Sequence, residues 1–186
     1  MPFPPLPRPA PVLAGALAAG LMLAGASCSH ITPLGPAGYA PRPQQLGTPI
    51  VLQAMGVQDF VPSTGECPAG YTRLSAPGQS AACYRPLGAP VTFTSAAVSP
   101  GPTAGPVNAP PTEYGLLIAV PAADRADLTA VTTQAYNVQG AVDISVADKV
   151  WGLPLAKAPL TRGVFTIMLP SKNQADQLQG ILVPSG

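Results

Sequence analysis

Few side chains in this sequence have the chemistry and spacing for catalysis or metal binding. There are three cysteines, Cys28, Cys67 and Cys83, and a single histidine, His30, two residues after Cys28. A metal site needs several ligands converging on one point, and His30 has no acid or second histidine in the Pro- and Gly-containing stretch around it. It cannot serve a nucleophile–base triad inside a domain downstream. The most suggestive acids are Asp143 and Asp148. An odd spacing on a strand sends side chains to opposite faces, and otherwise one of the two lies in a turn. Either way they share no proton, and they read as an exposed strand acid and a turn aspartate. Trp151 reads as core, with a binding-surface aromatic as the alternative. Lys157 and Arg162 flank an irregular link and read as solvated, and Tyr136-Asn137 marks a helix end, where Asn tolerates the left-handed conformation. No P-loop, GxSxG, HExxH or EF-hand pattern occurs. The expectation is a chain with no catalytic set, no cofactor and no metal site, and so not an enzyme.

The chain of 186 residues has room for one domain plus accessory segments. Pro (26) and Gly (19) make up close to a quarter of it, which predicts much irregular structure, yet 47% is hydrophobic and has surface to bury. Nine basic and eight acidic residues are scattered singly. Without a basic stripe to displace counterions from phosphates, nucleic acid is excluded as a partner. The N-terminus has one charge, Arg8, ahead of an uncharged apolar run of about 14 residues (12–25). Crossing a bilayer takes ~20, so this run reads as a cleaved secretory signal.

Gly25-Ala26-Ser27-Cys28 resembles the lipobox of bacterial lipoproteins, with Gly25 where the pattern usually has Leu. The resemblance implies cleavage after residue 27, acylation of Cys28 and anchoring on the extracytoplasmic face of the cell membrane. The alternative is an ordinary secreted chain in which Cys28 is a free thiol or is removed. If Cys28 is acylated, Cys67 and Cys83 remain as a pair in a disulfide-permissive compartment.

Residues 28–47 read as a Pro/Gly-rich tether, and a domain is expected over 48–186, opening on the strand-like run 50–57. Residues 66–85 read as a loop with short extended pieces, and 99–111 as a low-complexity surface loop that forms no regular element. Residues 114–120 predict a buried strand. Residues 121–134 predict a helix with Leu128, Val131 and Ala135 on one face. Val142, Ile144 and Val146 alternate with Asp143 and Ser145 as in a half-buried strand. Residues 163–169 predict another strand, and Ser171 with Gln174 predicts a capped helix carrying Ala175, Leu178 and Leu182. The predicted fold class is α+β, a small, largely antiparallel sheet with two helices on one face.

From residue 114 to 183 the pattern resembles the extracytoplasmic head domain of SecD and SecDF, the membrane accessories of protein export, and stand-alone actinobacterial lipoproteins with the same head. The residues concerned are the helix with Leu128-Thr129, the run 142–151 followed by Pro154, the link 159–163 ending in Gly163, and the closing helix 175–182. Lys149 stands where the family has the Gly of an Asp-Gly turn, which predicts a longer or bulged hairpin. The resemblance implies a non-catalytic binding or scaffold domain whose partners are the membrane and exported polypeptides or envelope proteins. A small-molecule or envelope-polymer binding lipoprotein on the same fold is the alternative.

Overall fold

The computed structural model describes residues 42–58, 66–106 and 109–183. The expected signal peptide, Cys28, His30 and most of the tether lie outside them. The elements are β1 (Gln44–Gln58), β2 (Thr72–Leu74), β3 (Ala82–Ala104), β4 (Glu113–Ala119), a 3₁₀ turn (Ala122–Asp124), α1 (Arg125–Asn137), β5 (Ala141–Val146), β6 (Lys149–Gly152), β7 (Val164–Leu169) and α2 (Lys172–Leu182). Every strand pairing is antiparallel, in the order β6-β5-β1-β3-β4-β7, with β2 added against the start of β3. This is an α+β domain dominated by its sheet.

The sheet curls because β3 is too long to stay straight. Its 23 residues would span about 75 Å at ~3.3 Å per residue, against a radius of gyration near 14 Å for a domain of this size. It therefore leaves one ladder and enters another: Cys83 to Ala96 pair with β1, and Ala97 to Ala104 pair with β4. The two end strands, β6 and β7, come into contact without sharing a ladder. Inside the curl, Ile50, Leu52 and Ala54 of β1 pack with Ile144, Ile118 and Ile167. Leu128, Val131 and Ala135 of α1 and Leu178 and Leu182 of α2 enter the same core. The periodicity expected of both helices is thus the one that buries them. Ser171 caps α2 by accepting from the Gln174 N–H (3.3 Å), while the Gln174 side-chain oxygen makes no return bond, so only half of a capping box forms.

Four expectations are corrected. The tether does not reach residue 47, because Gln44 and Gln45 already pair with Ala96 and Ser95 and Leu46 is buried. Residues 99–104 are not loop but the end of β3, in register with β4. Proline removes a ladder donor, but beyond Ala97 β3 has a neighbour on one side only, and Gly101 and Pro102 fall in a register shift. Pro100 and Pro102 therefore cost the ladder little. Gly101 and Gly115 allow the two backbones to approach there, since a Cβ on Gly101 would stand 3.0 Å from the Gly115 carbonyl carbon.

The β5–β6 hairpin is not lengthened at Lys149. Ala147 (φ 51°) and Asp148 (φ 60°) make a two-residue turn of the type I′ kind, and Val146 pairs directly with Lys149. The irregularity falls two residues later, where Trp151 is the extra residue between the Ser145–Val150 and Ile144–Gly152 pairs. Trp151 is core, 1% exposed, with the Lys149 ammonium 4.0 Å from its ring centroid. Finally, α1 does not end on a left-handed Asn137. Gln139 takes that conformation (φ 52°), its N–H donating to the Tyr136 carbonyl and that of Gly140 to the Ala135 carbonyl, a Schellman arrangement.

Cys67 and Cys83 are bonded, with Cα atoms 5.6 Å apart. The bridge encloses β2 and stands beside a second, smaller core of Met55, Ala76, Tyr84, Ala141 and Leu153.

A candidate binding cleft under the β6–β7 link

The link from Leu153 to Gly163 behaves as a strap pinned at both ends. At its start the Pro154 carbonyl accepts from the Val142 N–H (3.0 Å) and the Ala156 N–H donates to the Gly140 carbonyl (2.9 Å). At its far end the backbone of Leu160 is held by two threonines of α1. The Leu160 N–H donates to Thr132 Oγ1 (3.0 Å), and the Leu160 carbonyl shares the Thr129 hydroxyl hydrogen (3.0 Å) with the Arg125 carbonyl (2.8 Å). Thr132 also donates back to the Leu128 carbonyl at 2.8 Å, which is why a buried hydroxyl is tolerated there. Threonines three apart share a helix face, and here that face supplies what a neighbouring strand would.

Thr132→Val keeps the shape and removes the hydroxyl, leaving the Leu160 N–H without its acceptor. We expect a loss of about 1–2 kcal/mol and faster amide exchange at Leu160, with Thr132→Ser restoring most of both. Unchanged Leu160 protection in the Val variant would contradict this account of the strap.

Beneath the strap lies a cleft of roughly 360 Å³. Its walls are Leu52 from β1, Val142 and Ile144 from β5, Thr132 from α1, residues 154–158 and Leu160 of the strap, and Phe165 and Thr166 of β7. The surface is largely apolar, and Lys157 is the one charged residue in it. Leu155 is 59% exposed at this site, a large apolar side chain left facing water.

Asp143 and Asp148 are not brought together. Asp148 is exposed in the turn, as one sequence reading expected. Asp143 is half-buried rather than exposed, on β5 opposite Gln53, and accepts a 2.7 Å hydrogen bond from the Ser145 hydroxyl. Burial raises its carboxyl above the usual range, and the Ser145 bond opposes that in part. Gln53 is committed elsewhere, its amide donating to the Leu87 carbonyl at 2.8 Å.

A carboxyl whose pKa is raised on folding binds more protons folded than unfolded, so stability falls as pH climbs from near 3.8 through the raised value. Asp143→Asn keeps an acceptor for Ser145 and removes the charge. It should raise the melting temperature at pH 7 and converge with the parent in acid below the ordinary carboxylate range. A pH-independent difference would remove the burial argument.

Among the described residues no group of three His, Cys, Asp or Glu could hold a metal ion. Also among them, no helix is long and apolar enough to cross a membrane. Of the residues singled out from sequence, Lys157 lines the cleft, while Arg162 is exposed outside it. The strap threonines went unrecognised as a pair. Their only trace in the sequence is a polar residue on the apolar face with Leu128 and Val131.

Comparison with known proteins places nothing beside this domain: the chain matches no protein-family model, no curated protein and no solved structure.

Proposed function

We propose that this chain is a membrane-anchored extracytoplasmic lipoprotein whose domain binds a small apolar ligand and catalyses nothing. The cleft under the strap carries the reading. It is concave, apolar and near the lower end of the ~300–1,000 Å³ typical of small-molecule sites. Support for the anchor comes from the lipobox-like residues 25–28. Two or more acyl chains, at ~0.8 kcal/mol per buried CH₂, would hold the chain firmly on a bilayer.

A scaffold role toward exported or envelope polypeptides, implied by the likeness to the SecD head, is favoured by one observation. β7 ends the strand order with a ladder on one side only, and Phe165 and Thr166 line the cleft. An extended client could add there. Another one-sided stretch, Ala97–Ala104, is blunted by Pro100 and Pro102, and β6 at the opposite end of the order is only four residues long.

Titrating the full chain with a neutral apolar probe, decanol, and separately with a reduced, unfolded polypeptide decides between them. Saturable binding of decanol at cleft residues supports the first reading, and saturable binding of the polypeptide alone replaces it with the second. Intact mass from the native membrane tests the anchor: acyl mass on an N-terminal Cys28 is expected, and a chain without lipid mass would overturn that part.

A further inference from the structure

We infer that the cleft selects a single-chain amphiphile with one anionic head, its tail lying against Leu52, Ile144 and Phe165 and its head meeting Lys157. The inference rests on the small-ligand reading above and adds the chemistry of the ligand. Three observations carry it. The floor and walls are aliphatic or aromatic, so the ligand's body is apolar. The buried hydroxyl in the wall, that of Thr132, spends its single O–H on the Leu128 carbonyl and accepts from the Leu160 N–H, and so has no proton to donate to a ligand.

The third observation is Lys157, the one charged donor in the lining. It is exposed, in the stretch of strap between the two sets of backbone pins. No hydrogen bond or ion pair engages its ammonium among the described residues, and no acid lines the cleft. An unpaired ammonium at the edge of an apolar cavity, with no carboxylate to neutralise it, favours one negative charge on the ligand. A carboxylate is the simplest singly charged head that one ammonium can pair with. The long methylene stem of lysine also lets the charge stay in water while the stem covers the tail.

The test uses the full chain in phosphatidylcholine nanodiscs, with Ile, Leu and Val methyl groups labelled for NMR, and titrates decanoate, decanol and decyltrimethylammonium below their aggregation limits. Decanoate should shift the Leu52, Val142 and Ile144 methyls saturably and bind about five-fold more tightly than decanol. That is the scale of one partly exposed charge pair, and the trimethylammonium should bind more weakly still. The decanoate advantage should shrink in high salt, and in Lys157→Gln the ratio of decanoate to decanol affinity should fall to about one, whatever the lost stem does to both. If decanol matches decanoate in the parent chain, the cleft still binds apolar ligands but the anionic preference is overturned. If neither shifts those methyls, both the preference and the small-ligand reading fall. Discs of phosphatidylglycerol without decanoate separate a free amphiphile from membrane lipid: unshifted cleft methyls support the free ligand, and a matching shift overturns it.

Discussion

Gly140→Ala is expected to destabilise the domain by about 3 kcal/mol or more, the upper range for overpacking a closed site. Three elements meet at this residue. Its N–H closes the end of α1 on the Ala135 carbonyl (2.8 Å), its carbonyl accepts from Ala156 of the strap (2.9 Å), and a Cβ would run into the Met55 carbonyl oxygen of β1. Met55 in turn pairs with Ala141, the first residue of β5. The backbone cannot retreat without giving up the helix end, the start of β5 or the pinned end of the strap. What this glycine supplies is space, and the positive φ belongs to Gln139 next to it. The neighbouring substitution should therefore act in the opposite direction. Gln139→Gly removes the penalty of a side chain in the left-handed region and is expected to stabilise by about 0.5–1 kcal/mol. Urea denaturation followed by the fluorescence of Trp151, the one tryptophan and a buried one, reads both. Equal small effects at 139 and 140 would show that the junction relaxes freely.

Breaking the Cys67–Cys83 bridge carries the second large effect. Its sequence separation is 16, and closing a loop of about that length restricts the unfolded chain by ~3 kcal/mol in the chain-entropy model. The local structure depends on it more than that number implies. β2 is only three residues long and pairs solely with Ala82, Cys83 and Tyr84. The core beside it is small, with five buried residues against 22 inside the curl. Such a satellite core can barely offset the ordering of its own loop. In Cys67→Ala, or after reduction, we expect a drop of about 3 kcal/mol. Amide protection should be lost first at Arg73 and Tyr84, with Ile118 and Ile167 affected only through global unfolding. A denaturation midpoint indifferent to reductant would mean that the enclosed segment is ordered by its contacts alone.

The order of elements from β4 to α2 and the buried faces of both helices were legible in the residues. Leu128, Val131 and Ala135 recur at helical spacing, Val142, Ile144 and Val146 alternate, and Ser171 precedes Gln174 by a capping interval. Each of these signals is local: periodicity and capping act within a few residues, so the chain carries them before it folds. The prolines of β3 are another matter. Read in sequence, residues 99–104 miss two of a strand's donors, at Pro100 and Pro102. In the fold this stretch has a neighbour on one side only and a register shift at Pro102, so few partners miss those donors, and whether a partner exists is decided by a strand elsewhere. The same holds for Gly140, whose need for space comes from Met55 on β1.

The cleft is the extreme case. Leu52, Ile144, Lys157 and Phe165 are distributed over more than half of the chain and look like ordinary core and surface residues until the sheet curls. The two threonines of α1 have no visible task until the strap lies across them. By itself, then, the sequence determined which segments become helix and strand in the C-terminal half and which residues they bury, because those choices follow from local spacing. Only the tertiary structure decided where the ladders end, which glycine must stay bare and where an apolar surface stays open beside a lone cation, because each depends on what a distant segment brings or fails to bring.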